Sequence, residues 1–270
     1  MPDAGYWIVW VWLLSSIQHP ESLLIFPQNL TMAVEPWRTG RVVKIEEEAD
    51  QTRRFWIEIP DLEKFEFKPG QFVTLDLPIS DQKGKRLRSY SIASWPDGSN
   101  VFELVIVLLE DGLGTNYIFK EWREGSELTF RGPLGVFTLP PVIEKDLYFI
   151  CTGTGIAPFR SMLHHISDNN VPHQNLYLIF GCRKKENLLY YDELKELAEK
   201  IPNFHYIPTL SREEWEGKTG YVHAIYEELA TGGRPAAFFL CGWKNMIDEA
   251  KQRIQAMGFD RKAIHQELYG

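Results

Sequence analysis

Cysteine is scarce in this 270-residue chain: Cys151, Cys182 and Cys241 lie far apart, with no Cys-x-x-Cys pair. That argues against a disulfide framework and against a cysteine-ligated zinc or iron–sulfur site, so no metal is expected. A reducing, cytoplasmic compartment is the simplest fit. Positive charge is also short, with 29 Lys and Arg against 37 Asp and Glu, a net charge of −8. No nucleic-acid partner is expected, because such binding needs a basic face. Lys83, Lys85, Arg86 and Arg88 are one local exception. A membrane-spanning run is missing as well. Residues 6–14 are almost wholly apolar, but a span needs roughly 20 such residues. A secretory leader would carry basic residues before its apolar core, and here only Asp3 is charged. Residues 1–35 are therefore read as an N-terminal extension, foreign to the native protein or poorly ordered, with Met32 near the natural start. A partner-binding or interfacial tail and an uncleaved anchor are the alternatives. Membrane association is not expected, and residues 6–14 are the segment through which it would occur.

What is present is the composition of a soluble globular protein, 44% hydrophobic and 24% charged. The length suits two domains of ordinary size. Residues 36–141 read as short strands, at 41–45, 55–59, 72–77, 89–93, 102–108 and 127–131, rich in β-branched and aromatic side chains. Lys68-Pro69-Gly70-Gln71 and Asp97-Gly98-Ser99-Asn100 supply turn chemistry between them. Near-regular strand spacing predicts an antiparallel barrel or sandwich. One helix is expected over 115–122, entered through Gly112-Leu113-Gly114-Thr115 with Thr115 at the N-cap. Its free backbone N–H groups would form an anion site.

After Gly132-Pro133-Leu134-Gly135 and Pro140-Pro141 the pattern changes. Strands at 147–151, 176–180, 204–208, 237–241 and 263–268 alternate with helices at 158–167, 191–200, 221–229 and 244–257. Alternating units of this kind predict a parallel α/β sheet with helices on both faces over residues 142–270. In the last helix Ile247, Ala250, Ile254 and Met257 share one stripe.

Four stretches carry chemistry. On a strand, Arg88 and Tyr90 face one side and Ser89 and Ser91 the other. That places a cation suited to phosphate close to a flat ring that can cover another. Gly153-Thr154-Gly155-Ile156-Ala157-Pro158 joins a buried strand to a helix. Its glycines let backbone approach a ligand, Pro158 suits the first helical turn, and the helix N-terminus favours a pyrophosphate. It is not the GxGxxG fingerprint. Cys241 and Gly242 end another strand, and ligands of open α/β sheets bind beyond such strand ends, so Cys241 and Thr154 should border one crevice. Ser211-Arg212 follows a third strand at the same edge.

The order of these motifs resembles the ferredoxin–NADP reductase superfamily of flavin reductases over about residues 37–270. The markers are RSYS (Arg88, Ser89, Tyr90, Ser91), PGQF, GLGTN, GTGIAPFRS, LCGWKNM and the terminal ELYG. The resemblance implies FAD and NADPH (or NADH) as cofactors, with Arg88 on the flavin phosphate, Tyr90 over the isoalloxazine and Ser91 near its N5. Val105, Ile106 and Val107, with Leu113, Gly114 and Thr115, would hold the rest of FAD. Gly153, Thr154, Gly155 and Gly242 would border the nicotinamide nucleotide. Ser91, Cys241, Glu267 and Tyr269 would surround the transfer of hydride. Ser211-Arg212, with Arg183, would recognise the 2′-phosphate, favouring NADPH. No histidine carries an assigned role. His164, His165, His205, His223 and His265 read as helix-face or surface residues.

The resemblance further implies that electrons leave singly to a separate carrier, a ferredoxin, a flavodoxin or an oxygenase component, with Lys83, Lys85 and Arg86 a candidate docking patch. A non-catalytic flavin- or nucleotide-sensing subunit, or the reductase of an oxygenase or membrane oxidase, are the alternatives.

Overall fold

The computed structural model describes residues 35–269. The apolar run at 6–14, Met32 and Gly270 lie outside the described residues.

β1 (Trp37–Ala49), β2 (Thr52–Glu58), β3 (Phe72–Asp76), β4 (Leu87–Ser91), β5 (Val101–Val107) and β6 (Glu127–Leu134) form one antiparallel sheet in the order β4-β3-β6-β1-β2-β5. Period-two alternation drives it. Phe55 and Ile57 of β2 point inward, as do Phe102 and Leu104 of β5 and Phe130 of β6. Phe130 sits 5.2 Å from the Phe102 ring and 6.1 Å, edge-on, from Phe65. The sheet closes on itself just beyond β4: Ala93 N–H donates to the Glu103 carbonyl at 2.8 Å, and Glu103 N–H to Ser94 Oγ at 3.0 Å. Of the barrel and sandwich expectations, the closing bond favours the barrel.

Three details differ from the sequence expectation. β1 is 13 residues long, because its first half pairs with β6 and its second half with β2, across two register shifts. Backbone pairing rather than apolar content holds its ends. A short helix, α1 (Lys83–Arg86), occupies the basic loop. The next helix, α2 (Leu113–Glu121), takes Gly112 as its N-cap, not Thr115. Thr115 lies in the first turn, where its hydroxyl accepts from Leu109 N–H at 3.1 Å and donates to the Gly112 carbonyl at 3.1 Å. It braces the loop that enters the helix.

β7 (Asp146–Thr152), β8 (Leu176–Cys182), β9 (Phe204–Leu210), β10 (Lys218–Thr219), β11 (Ala236–Trp243) and β12 (Ile264–Tyr269) form a parallel sheet in the order β10-β9-β8-β7-β11-β12. Both faces of β7 are covered. Leu147, Phe149 and Cys151 pack with α3 (Ala157–Asp168) and α4 (Tyr191–Lys200) on one side. Tyr148 and Ile150 pack with α5 (Val222–Leu229) and α6 (Lys244–Ala256) on the other. The strand order reverses between β7 and β11, which creates the crevice where such sheets bind ligands. Ala93, Val105 and Phe137 join the α3–α4 side of the parallel sheet in one continuous core, so the two sheets share apolar packing.

Replacing Phe130, which is 0% exposed, by alanine should cost about 3–5 kcal/mol in urea unfolding. A loss below about 1 kcal/mol, the range of surface substitutions, would remove it from the centre of the barrel.

Candidate active site

The crevice is built by close backbone approach. After β7 the chain makes a 3₁₀ turn, Gly153–Ile156, before entering α3. A Cβ on Gly155 would lie 2.4 Å from the Cys241 carbonyl oxygen and 2.9 Å from Gly242 N, so only glycine lets this turn press against the end of β11. The turn brings half-buried Thr154 to the mouth of the crevice. Gly153 there adopts φ +55° with open space around it. Thr152 Oγ1 is buried, has no hydrogen-bond partner among the described residues and lies beside Gly242. Cys241 pairs in register with Cys151 on one side and Glu267 on the other. It is fully buried, and burial, then the charges of Glu267 and Cys151, push its thiol well above the ordinary range. Cys241 is therefore a neutral, compact wall of the crevice and no nucleophile.

β12 delivers Glu267 and Tyr269 to the barrel. Ser91 Oγ donates to Glu267 Oε2 at 2.6 Å, a bond between the last residue of β4 and the edge strand of the parallel sheet. Burial raises the Glu267 carboxyl above its ordinary 4.5, and the Ser91 hydrogen bond opposes that rise. The Tyr269 phenol is raised well above its usual range by burial, then by Cys241 and Glu267 beside it, and its hydroxyl is in reach of Ser91 and Cys241. Ser91 of β4, Cys241 of β11 and the β12 pair Glu267 and Tyr269 converge at one point.

Along β4, Arg88 and Tyr90 pair with Leu75 and Val73, and Ser89 and Ser91 with Thr74 and Phe72. Tyr90 packs against the barrel core, and burial lifts its phenol to about 12. Ser89 Oγ is 3.0 Å from Thr74 Oγ1. Arg88 donates to the carbonyls of Lys85 (2.9 Å) and Leu87 (2.7 Å). Among the described residues no carboxylate pairs with it. Its side chain runs over the start of α2, where a Cβ on Gly114 would come within 3.1 Å of Arg88 Cγ. A fixed cation and the N-terminus of a nine-residue helix thus face the same space, with exposed Leu113 at its rim. The side chain of Val105 is buried in the core shared with the parallel sheet and that of Ile106 in the barrel core. Beyond the closure at Glu103, β5 pairs among the described residues only with β2, so the contribution open to Val105, Ile106 and Val107 is their backbone edge.

The loops after β8 and β9 lie side by side: Ser211 N–H donates to the Cys182 carbonyl at 3.0 Å and Arg212 N–H to the Arg183 carbonyl at 3.0 Å. Arg183 and Arg212 are exposed. A shallow cavity of about 500 Å³ is lined by Arg212, Glu213, Lys184, Lys185 and Glu186. Lys184 pairs with Glu186 and Lys185 with Glu216, whereas no carboxylate partner of either arginine occurs among the described residues.

Sequence reasoning missed a buried ionic network at the seam between the sheets. Arg160 donates to Glu193 Oε1 and Oε2 (2.6 and 3.0 Å), to Glu103 Oε2 (3.0 Å) and to the Ala93 carbonyl (2.9 Å). Arg54 and the Tyr190 hydroxyl donate to Glu103 Oε1 at 2.6 and 2.8 Å. Tyr190 N–H donates to Glu48 at 2.6 Å, and the Arg160 guanidinium lies 4.3 Å above the Tyr190 ring. Although burial opposes its ionisation, hydrogen bonds from His164 and Arg160 hold the Glu193 carboxyl down at about 2. His164 is thus more than a helix-face residue: its ring stacks on Trp95 at 3.6 Å with Nε2 2.6 Å from Glu193. His223 is also buried, with Nδ1 2.9 Å from the Tyr226 hydroxyl. The signal was present as two lone charges, Glu103 in the apolar strand VFELVIV and Arg160 in APFRSML, the apolar start of α3.

The raised Glu267 carboxyl gives a pH prediction. The folded state binds this proton more tightly than the unfolded state, so the contribution to stability falls as pH rises from about 4.5 through the folded pKa and is constant beyond it. Glu267→Gln should remove that slope, measured as the difference between urea midpoints of the two proteins from acid to neutral pH. A difference that does not change with pH would contradict the assignment.

Residues 39–139 match the oxidoreductase FAD-binding domain family and residues 149–252 the oxidoreductase NAD-binding domain family. The chain is 37% identical over 244 residues to ferredoxin–NADP reductase B of Sorangium cellulosum, covering 87% of this chain and 98% of that protein. It is 35% identical over 211 residues to the anthranilate 1,2-dioxygenase electron transfer component of Acinetobacter baylyi, covering 77% of this chain and 60% of that one. A crystal structure of the Neisseria gonorrhoeae ferredoxin NADP+ reductase with bound FAD and NADP superposes with a TM-score of 0.70 at 25% identity, covering 86% of this chain and 98% of that one. The Amycolatopsis cytochrome P450 reductase GcoB superposes with a TM-score of 0.77 at 28% identity, covering 87% and 70%. This chain belongs to the ferredoxin–NADP reductase superfamily, with an FAD-binding barrel followed by an NAD(P)-binding parallel sheet.

Proposed function

We propose that the chain is an NAD(P)H-dependent flavoprotein reductase that passes electrons to a separate carrier. The observation that carries this reading is the Ser91–Glu267 bond, which sets the RSYS strand of the barrel directly against the crevice of the parallel sheet. A sensor of one cofactor would not need the two sites aligned. The residues fit FAD: Arg88 and the α2 N-terminus face one space suited to phosphate, and Gly114 leaves it free of a side chain. In this reading Arg88 binds the phosphate, Tyr90 covers one face of the ring, and Ser91 stands at N5. Ser89 and the backbone edges of Val105, Ile106 and Val107 complete the seat with Leu113, Gly114 and Thr115. Bound FAD supplies the acceptor for a hydride and the donor of single electrons.

The protein's own residues do the rest. Gly153, Thr154, Gly155 and Gly242 leave backbone room for the nicotinamide nucleotide. Neutral Cys241 walls the point of transfer without adding charge to it. Glu267 keeps a proton to higher pH than a free carboxyl and lies one hydrogen bond from Ser91 Oγ, so the pair can hold or release a proton there. Tyr269 covers Ser91 and Cys241 and yields its place to nicotinamide.

Arg212 and Arg183, each lacking a carboxylate partner among the described residues, suit the 2′-phosphate of NADPH. The chain spans nearly the whole ferredoxin–NADP reductase relative but 60% of the dioxygenase component. The 37% identity to a ferredoxin–NADP reductase supports a ferredoxin or flavodoxin as the carrier, and the 35% identity to a dioxygenase component supports an oxygenase component as the second reading. Exposed Lys83 and Lys85 are available for docking, whereas Arg86 is committed to Asp76 at 2.6 Å. Among the described residues no helix is long and apolar enough to cross a membrane. A cytoplasmic location suits three free cysteines.

Protein reconstituted with FAD should lose its yellow colour on anaerobic mixing with NADPH and then reduce ferredoxin. Failure to take up FAD, or no bleaching with either nucleotide, would contradict the proposal. Arg212→Ala removes a charge-assisted contact worth about 1.5–3 kcal/mol, so KM for NADPH should rise about 10- to 100-fold while that for NADH changes little. Equal loss for both nucleotides would contradict the assigned preference.

A further inference from the structure

Glu103 and Arg160 are charges of opposite sign on elements of different sheets, 2% and 3% exposed. What they grip together is Ala93. The Ala93 N–H donates to the Glu103 carbonyl at 2.8 Å, and the Ala93 carbonyl accepts from Arg160 Nη1 at 2.9 Å. One residue is thus held on its amide side by β5 of the barrel and on its carbonyl side by α3 of the parallel sheet. Ala93 stands two residues after Ser91, and Arg160 six residues after Thr154.

The remaining bonds of Arg160 keep its guanidinium from swinging away. Nε and Nη2 form a two-pronged contact with Glu193, and Nη1 also reaches Glu103 Oε2. The Glu103 carboxylate is held in turn by Arg54 and the Tyr190 hydroxyl. A surface ion pair could shift by an ångström without consequence. A desolvated fork with four bonds to three separate segments cannot.

We infer that Arg160 is a positioning residue for hydride transfer: it ties the nucleotide-binding turn to the strand end that carries Ser91, and so sets the gap between the two rings. This rests on the reductase reading. The side chain touches neither ring. It acts through Ala93 and the start of α3.

The test compares Arg160→Met, Arg160→Lys and Tyr190→Phe with wild type in two measurements. The first is amide hydrogen exchange of the full-length protein without added cofactor. Arg160→Met should speed exchange at residues 92–94 selectively, leaving the inner strands of both sheets protected. The second is stopped-flow reduction of the FAD-loaded protein by NADPH. Misplacement near an ångström costs on the order of 100-fold, so Arg160→Met should slow flavin reduction about 10- to 100-fold with nucleotide affinity changed less than about threefold. Arg160→Lys, which keeps the charge but loses the planar fork, should fall between the two. Tyr190→Phe removes one bond to Glu103 without moving a charge and should slow reduction about 2- to 5-fold, so the proposal stays open to contradiction even if Arg160→Met does not fold.

Wild-type protection at residues 92–94 in Arg160→Met would overturn the inference, as would a wild-type reduction rate. So would loss of nucleotide affinity with the rate intact. Where Arg160→Met does not fold, wild-type rates in both Arg160→Lys and Tyr190→Phe would overturn it. Wild-type protein that neither NADPH nor NADH reduces would overturn the reductase reading instead, while the exchange arm still decides whether Arg160 holds the strand.

Discussion

A hydride crosses between two flat rings only when they stack within about 3–3.5 Å, and this chain assigns the two rings to different sheets. The seam between the sheets is therefore the constraint on which the rest depends. It is not left to a flexible linker. Ala93, Val105 and Phe137 of the barrel share a core with α3, α4 and β7, and a hydrogen bond joins Ser91 to Glu267. The charged network around Glu103 and Arg160 adds direction to that apolar contact. Apolar packing resists separation but permits sliding, whereas Arg160, fixed on its own side by a two-pronged contact with Glu193, reaches across through Nη1 to the Ala93 carbonyl and Glu103 Oε2 and opposes both.

The electrostatics of the two regions are opposite in kind. At the seam, cations and carboxylates are buried together and satisfy one another, which offsets the cost of desolvating them. At the transfer point burial works against charge, raising the Cys241 thiol, the Tyr269 phenol and the Glu267 carboxyl alike. The fixed positive charges stand at the far ends, with Arg88 over α2 and Arg183 and Arg212 on the loops after β8 and β9, where phosphates would anchor each cofactor.

How legible this was in the residues varied with the physics involved. The parallel sheet was readable because β7, β8 and β11 are continuous apolar runs, and the approach of the Gly153–Ile156 turn to Cys241 followed from strand ends bordering one crevice. The barrel strands were readable in their apolar middles. The ends of β1 were not, because backbone pairing alone holds them. Thr115 was misplaced as a helix cap because Gly112 and Leu109 offer its hydroxyl partners within the loop. The seam network escaped because a buried charge is recognised by its partner. Glu103 and Arg160 are 57 residues apart, and no periodic pattern links them. The roles proposed for Arg88 and Tyr90 rest on the order of all the motifs along the chain.

The most direct test is a crystal structure of the protein with FAD bound. The account predicts the isoalloxazine packed against Tyr90, with Ser91 Oγ within hydrogen-bonding distance of N5, the phosphates between Arg88 and the start of α2, and the exposed ring face turned toward Cys241 and Tyr269. FAD bound with its ring away from Tyr90, or with its phosphates on the loops of the parallel sheet, would contradict it.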